Sequence, residues 1–106
     1  METIINTFKI LSDETRLRLL MLLYRNDHCV CELAEILELS QPKVSKHLTK
    51  LRDLGYVQTR RESQFIFYTL DKNDSILIQV LKSIEQNLTK YEILDIDSKR
   101  LPTCKI

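Results

Sequence analysis

At 106 residues, with 43% hydrophobic and 29% charged residues, one glycine and two prolines, the chain can bury one modest core and is too poor in turn formers for a strand-dense β fold. No apolar run approaches the ~20 residues of a membrane span, and no basic flank followed by a greasy core opens the chain, so the expected location is the cytoplasm with no membrane partner. Net charge is only +1, which by itself neither favours nor excludes a polyanion.

Residues Thr3 to Leu11 place Ile4, Ile5, Phe8 and Leu11 on one side of a short amphipathic helix that must dock to be stable. Ser12-Asp13-Glu14 supplies a cap and an acidic first turn for a second helix, Glu14 to Arg25, which is apolar nearly all round and so expected to be central and buried. After the polar break Asn26-Asp27-His28, Val30, Leu33, Ala34 and Leu37 recur as the buried face of a third helix, with Glu32, Glu35 and Glu38 outward.

The segment Ser40 to Gly55 then reads as a fourth helix. Ser40 caps its start, Pro42 falls in the first turn, and Gly55 supplies the left-handed residue beyond its end. Val44, Leu48 and Leu51 form the inward stripe; Lys43, Lys46 and Lys50 lie opposite, flanked by Gln41, Ser45 and His47. Such a face suits phosphate oxygens and the acceptor-rich base edges of a major groove, although a merely solvated lysine face has the same pattern. His47, ~60° off the stripe, also reads as a boundary histidine.

From Tyr56 the period becomes two. Val57 and Thr59 alternate with Gln58 and Arg60, and after Glu62-Ser63-Gln64 the aromatic and β-branched run Phe65 to Leu70 completes a β-hairpin. A last long helix is expected over about Asn73 to Tyr91, with Leu77, Leu81, Ile84, Leu88 and Tyr91 on a coiled-coil-like seam, and additional apolar residues at Ile76, Ile78 and Val80 that point to a dimer surface built with the first helix. The tail, 92–106, has no structure assigned from its sequence. The expected fold is therefore mainly α with a small β-hairpin, a winged helix-turn-helix of order α-α-α-α-β-β-α, with residues 1–91 as the domain and 92–106 as a C-terminal tail.

Charge distribution is more informative than its sum. Between Ser40 and Arg61 six Lys/Arg face one acid, Asp53, giving +5, and the remaining ten bases and fourteen acids give −4. A basic face on an acidic body orients a polyanion. Three cysteines are an odd number, so free thiols rather than a disulfide framework are expected. Cys29 and Cys31 would diverge by ~200° on a regular helix, so both reach one ion only if Cys29 lies at or before the helix start. There the positive helix end favours thiolates, which bind soft, thiophilic metals and metalloids rather than magnesium or calcium. Small buried hydrophobes are the plain alternative for this pair.

Ser12-Asp13-Glu14-Thr15-Arg16-Leu17-Arg18, Cys29-Val30-Cys31-Glu32-Leu33, Ser40 to Leu48, Leu51-Arg52-Asp53-Leu54-Gly55 and Arg60-Arg61, in this order, resemble the ArsR/SmtB family of winged-helix repressors over roughly Ile4 to Leu88. The Cys-Val-Cys placement is similar to the arsenic-responsive branch. That resemblance implies a homodimeric repressor on double-stranded operator DNA with an inverted repeat, released by As(III) or Sb(III). Gln41, Lys43, Ser45, Lys46 and His47 would face the groove, with Lys50, Arg60 and Arg61 on phosphates. Recognition helices of a two-fold dimer would sit on the order of 34 Å apart. The third cysteine frequent in that branch is Ala34 here, which makes Cys104 the expected third ligand beside Cys29 and Cys31, and the family's Asp/His site on the last helix lacks its histidine. Ser63 stands where many members have a wing-tip glycine. The alternatives are redox or cadmium/lead sensing through the same cysteines, a thiol oxidoreductase, which lacks its usual βαβ context, and a winged helix used only for protein contacts. No catalytic constellation is present, so an enzyme is not expected.

Overall fold

The computed structural model describes residues 1–73 and 75–104; Asp74, near the expected start of the last helix, and Lys105 and Ile106, the end of the expected tail, lie outside the described residues. The elements are α1 (Glu2–Leu11), α2 (Glu14–Arg25), β1 (His28–Cys29), α3 (Val30–Leu37), α4 (Gln41–Asp53), β2 (Val57–Glu62), β3 (Phe65–Leu70), α5 (Ser75–Gln86) and α6 (Glu92–Lys99), with a 3-10 turn at Leu88–Lys90 before α6. This is the expected winged helix-turn-helix with three additions: a two-residue strand, a break in the last helix, and a helix in the tail.

Local chemistry fixes most boundaries. Asp13 caps α2 by accepting from the Arg16 N–H at 2.9 Å, and Ser40 caps α4 by accepting from the Lys43 N–H at 3.3 Å. Past α4, Gly55 adopts φ +85°; the Tyr56 N–H donates to the Leu51 carbonyl (2.9 Å) and the Gly55 N–H to that of Arg52 (3.0 Å), a Schellman closure. Glu38 takes the same left-handed role after α3, at φ 57°, and the Leu39 N–H reaches back to the Ala34 carbonyl at 3.0 Å. That turn, 38–40, sets the angle between α3 and α4.

The core forms around α2. Leu19, Leu20 and Leu23 are buried against Leu33 of α3, Val44, Leu48 and Leu51 of α4, Val57 of β2, and Leu77 and Leu81 of α5. The expected seam on the last helix thus closes the chain's own core, with Ile84 and Leu88 also packed against it. On α1 the buried residues are Thr7 and Ile10, whereas Ile4, Ile5 and Phe8 are exposed. Thr7 tolerates burial because its hydroxyl donates to the Thr3 carbonyl at 3.0 Å and shares a 3.2 Å hydrogen bond with the Tyr56 hydroxyl.

The sheet has the order β1-β3-β2, all antiparallel, with Cys29 opposite Phe67, Arg60 opposite Phe67 and Arg61 opposite Ile66. β2 and β3 are joined by Ser63-Gln64, and Ser63 has φ 57°, at the position that glycine takes in a type II′ hairpin. No helix of the described residues is long and apolar enough to cross a membrane.

Residues 92–104 fold back over α2 and α3. Asp97, 2% exposed, receives both Arg18 Nε (2.8 Å) and Nη2 (2.9 Å), a bidentate pair that fixes α6 to α2. The expected single helix to Tyr91 ends instead at Gln86. There the Asn87 N–H bonds the Ile84 carbonyl in 3-10 fashion, its side chain donates to the Ser83 carbonyl at 2.9 Å, and the chain turns to begin α6.

Candidate DNA-binding face and thiol site

On α4 the inward stripe and the outward face separate as helical spacing requires. Val44, Leu48 and Leu51 are fully buried, Gln41, Lys43, Lys46 and Lys50 are exposed, and Ser45 and His47 lie at the boundary. Burial is the main influence holding the His47 imidazole below its ordinary pKa; the positive charges of Arg16, Lys43 and Lys46 act the same way, and Asp13 opposes them. His47 is therefore neutral at pH 7, with a donor and an acceptor nitrogen at the edge of the lysine face.

The wing divides its two arginines. Alternation in β2 sends Arg60 and Arg61 to opposite faces. Arg60 lies 4.8 Å from the centroid of the Phe67 ring and pairs with Asp27 (3.3 Å) and Glu62 (3.2 Å). Arg61 donates from Nε to the Ser63 carbonyl at 3.4 Å, which steadies the tip. Arg61 is thus the less neutralised cation of the two.

The thiols lie at the start of the helix-turn-helix, beside the wing. Cys29 is the residue before α3, with φ −87° and ψ 166°, the placement that its spacing from Cys31 demands for convergence. It is also 3% exposed and tied into the sheet beside Phe67, and Glu32 reaches back to its N–H at 3.2 Å in a capping box. Cys31, in the first turn of α3, is disulfide-bonded to Cys104, 73 residues away, with a Cα–Cα distance of 6.2 Å. This corrects the expectation of three free thiols: the folded-back tail carries Cys104 across α3, so an odd count leaves only Cys29 free. Among the described residues, no group of three or more His, Cys, Asp or Glu side chains is arranged to hold a metal ion. Two sulfurs are assembled and the third, Cys29, stands outside the pair. Cys29 and Cys31 nonetheless border one groove of about 260 Å³ with Gln41 of α4 and Gln64 and Ile66 of the wing, so the thiol region adjoins the helix that bears the lysines.

Sequence reasoning missed several residues that set this geometry: Glu35, which binds the tail; Asp97 and Arg18, which dock α6; and Asp27, which holds Arg60. All act over long sequence separations, and no local pattern marks them.

The solved structure of reduced HlyU from Vibrio cholerae superposes with a TM-score of 0.69 at 38% identity, covering 76% of this chain and 82% of that one, and residues 13–59 match the model of the bacterial regulatory protein, arsR family. The chain belongs to the ArsR family. It is a family of regulatory proteins rather than enzymes, and its helix-turn-helix is the segment matched here. The arsenic resistance transcriptional regulator ArsR1 of Pseudomonas putida is 50% identical over 64 residues, 59% of this chain, and the alignment spans half the length of that relative. The AntR antimony-specific transcriptional repressor superposes with a TM-score of 0.72 at 28% identity, covering 86% of this chain and 81% of that one.

Proposed function

We propose that this ArsR-family chain is a homodimeric transcriptional repressor that holds operator DNA through α4 and the wing and lets go when a thiophilic inducer, As(III) or Sb(III), binds its cysteines. One observation carries the reading: α3 holds Cys31 in its first turn and is joined to the lysine-bearing α4 by the short Glu38–Ser40 turn. A displacement of α3 therefore moves α4. The exposed Ile4, Ile5 and Phe8 of α1 are the apolar surface available for pairing two copies, which would present two α4 helices to an inverted repeat. Gln41, Lys43, Ser45, Lys46 and His47 would line the groove, and Lys50 and Arg61 would take phosphates, with Arg60 bracing the wing.

Cys31 and Cys104, once reduced, supply two adjacent sulfurs. Arsenous acid would exchange two hydroxyls for them and release two waters, with no change of oxidation state. A third exchange, with Cys29, would require that sulfur to leave its cap. The arsenic and antimony regulators among its relatives favour this inducer class.

The disulfide favours a second reading, redox sensing. Two thiols would pass two electrons to a peroxide, which leaves as water and an alcohol (or a second water), and the sulfur–sulfur bond would lock the tail on α3. Titration of arsenite, and separately of peroxide, into the reduced protein bound to duplex DNA from its own promoter region tests both. Release by arsenite supports the first reading, and release by peroxide alone the second. Unchanged affinity under both would contradict thiol sensing.

A further inference from the structure

The tail descends along α3 in three attachments. Arg100 Nη1 donates to the Ile36 carbonyl at 2.7 Å and Nη2 pairs with Glu38 at 3.1 Å, at the C-terminal end of the helix. One turn nearer the helix start, the Glu35 carboxylate accepts the Thr103 N–H on both oxygens (3.0 and 2.9 Å), the Thr103 hydroxyl, and the Cys104 N–H at 2.8 Å. A further turn on, Cys104 meets Cys31. Cys31 and Glu35 are four residues apart and so share one face of α3.

Only the last attachment is made by sulfur. The first two are hydrogen bonds and an ion pair that contain no sulfur atom. A carboxylate that gathers this many donors from two consecutive residues fixes their backbone, and the second of those residues is the cysteine itself. Those same donors, the Thr103 hydroxyl foremost, hold the Glu35 carboxyl below its ordinary pKa, so it is ionised throughout the neutral range.

We propose that Glu35 is the positioning residue of the thiol site: its carboxylate keeps Thr103 and Cys104 docked on α3 in the reduced protein, so that the Cys31 and Cys104 thiols face one another and present a preformed two-sulfur chelate to a single thiophilic ligand. The inference deepens the sensor reading and rests on it for the ligand class, but the positioning itself needs neither DNA nor metalloid. Preorganisation removes the ordering cost that a free tail would impose on chelation.

The test uses the full chain equilibrated in glutathione buffers. Oxidised glutathione accepts the two electrons and the two protons of the thiol pair and leaves as two reduced glutathione molecules, so the equilibrium constant reports the effective concentration of one thiol at the other. Glu35→Ala is expected to lower that constant about tenfold, and Glu35→Gln, which keeps one carbonyl acceptor, to recover part of the loss. In a Cys104→Ser background Glu35→Ala should leave the mixed disulfide between Cys31 and glutathione unchanged, which separates positioning from a change in Cys31 itself. As a second readout, Thr103 and Cys104 amides in the reduced wild type should exchange hydrogen about tenfold more slowly than in reduced Glu35→Gln. A constant within about twofold of wild type in Glu35→Ala, or equal amide exchange in the two reduced proteins, overturns the proposal. Neither measurement contains DNA or arsenite, so loss of the sensor reading would leave both results standing.

Discussion

Asp97→Ala tests the docking of the tail most severely. Asp97 is 2% exposed and the Arg18 side chain 14% exposed, and the pair is bidentate at 2.8 and 2.9 Å. Removing the carboxylate leaves the guanidinium with a marginal 3.4 Å bond to the Leu37 carbonyl as its alternative acceptor. Breaking a buried pair from one side costs about 3–5 kcal/mol, and the residual exposure of Arg18 places this case near the lower end, about 3 kcal/mol. For a chain of this size that is a large part of a total stability of about 5–15 kcal/mol and lowers Tm by about 10–20 °C. Urea unfolding followed by circular dichroism, at one protein concentration because association shifts apparent stability, reads the change in midpoint. The paired replacement Arg18→Met with Asp97→Leu should recover to within about 1 kcal/mol of wild type, since no charge is then stranded. A loss below about 1 kcal/mol in Asp97→Ala would refute the reasoning and detach α6 from the folded unit.

Three further outcomes are expected. Lys50 is exposed and no carboxylate pairs with it among the described residues, so Lys50→Ala should reduce the slope of log affinity for duplex DNA against log salt by about 0.9, measured by fluorescence anisotropy; an unchanged slope would remove Lys50 from the phosphate contacts. Ser63 holds φ 57°, so Ser63→Gly should stabilise the wing by about 0.5–1 kcal/mol in the same urea assay, and a loss of stability would contradict the turn assignment. His47 has a folded pKa below its ordinary value of 6.5, so its contribution is complete above that value and is lost as pH falls through the folded pKa. Stability measured from about pH 7 to 5 should therefore fall less steeply in His47→Gln than in wild type, and parallel curves would contradict the burial of the imidazole.

Elements set by local interactions were legible in the sequence. α2 begins and ends where the Asp13 cap and the polar Asn26 place it, and α4 lies between Ser40 and Gly55 because those residues close its ends by short-range hydrogen bonds. The hairpin followed from the alternation of Val57 to Arg60, the aromatic and β-branched run Phe65 to Leu70, and the turn between them. Features set by distant partners were not legible. β1 is two residues long and exists only by pairing with β3. α6 mixes acids and apolar residues, and its docking depends on Arg18, 79 residues earlier. The apolar pattern of α1 marked a helix that must dock, and Ile4, Ile5 and Phe8 lie exposed; the pattern did not mark the face turned to the chain's own core, which carries Ile10 and Thr7, the latter bonded to the Tyr56 hydroxyl. Of the thiol site, helical geometry required Cys29 before α3 only if it was to share an ion with Cys31; Cys29 stands there, but Cys31 is bonded to Cys104, and that bond and the Glu35 contacts arise from the path of the tail.

The central claim, that thiols on α3 and lysines on α4 answer to one conformational equilibrium, is tested most directly by reciprocity. Arsenite affinity is measured for the reduced protein free and saturated with promoter DNA. If the two sites are coupled, DNA weakens arsenite binding by the same factor by which arsenite weakens DNA binding, about 5- to 150-fold for couplings of ordinary size. Equal arsenite affinity in the two states would contradict the account.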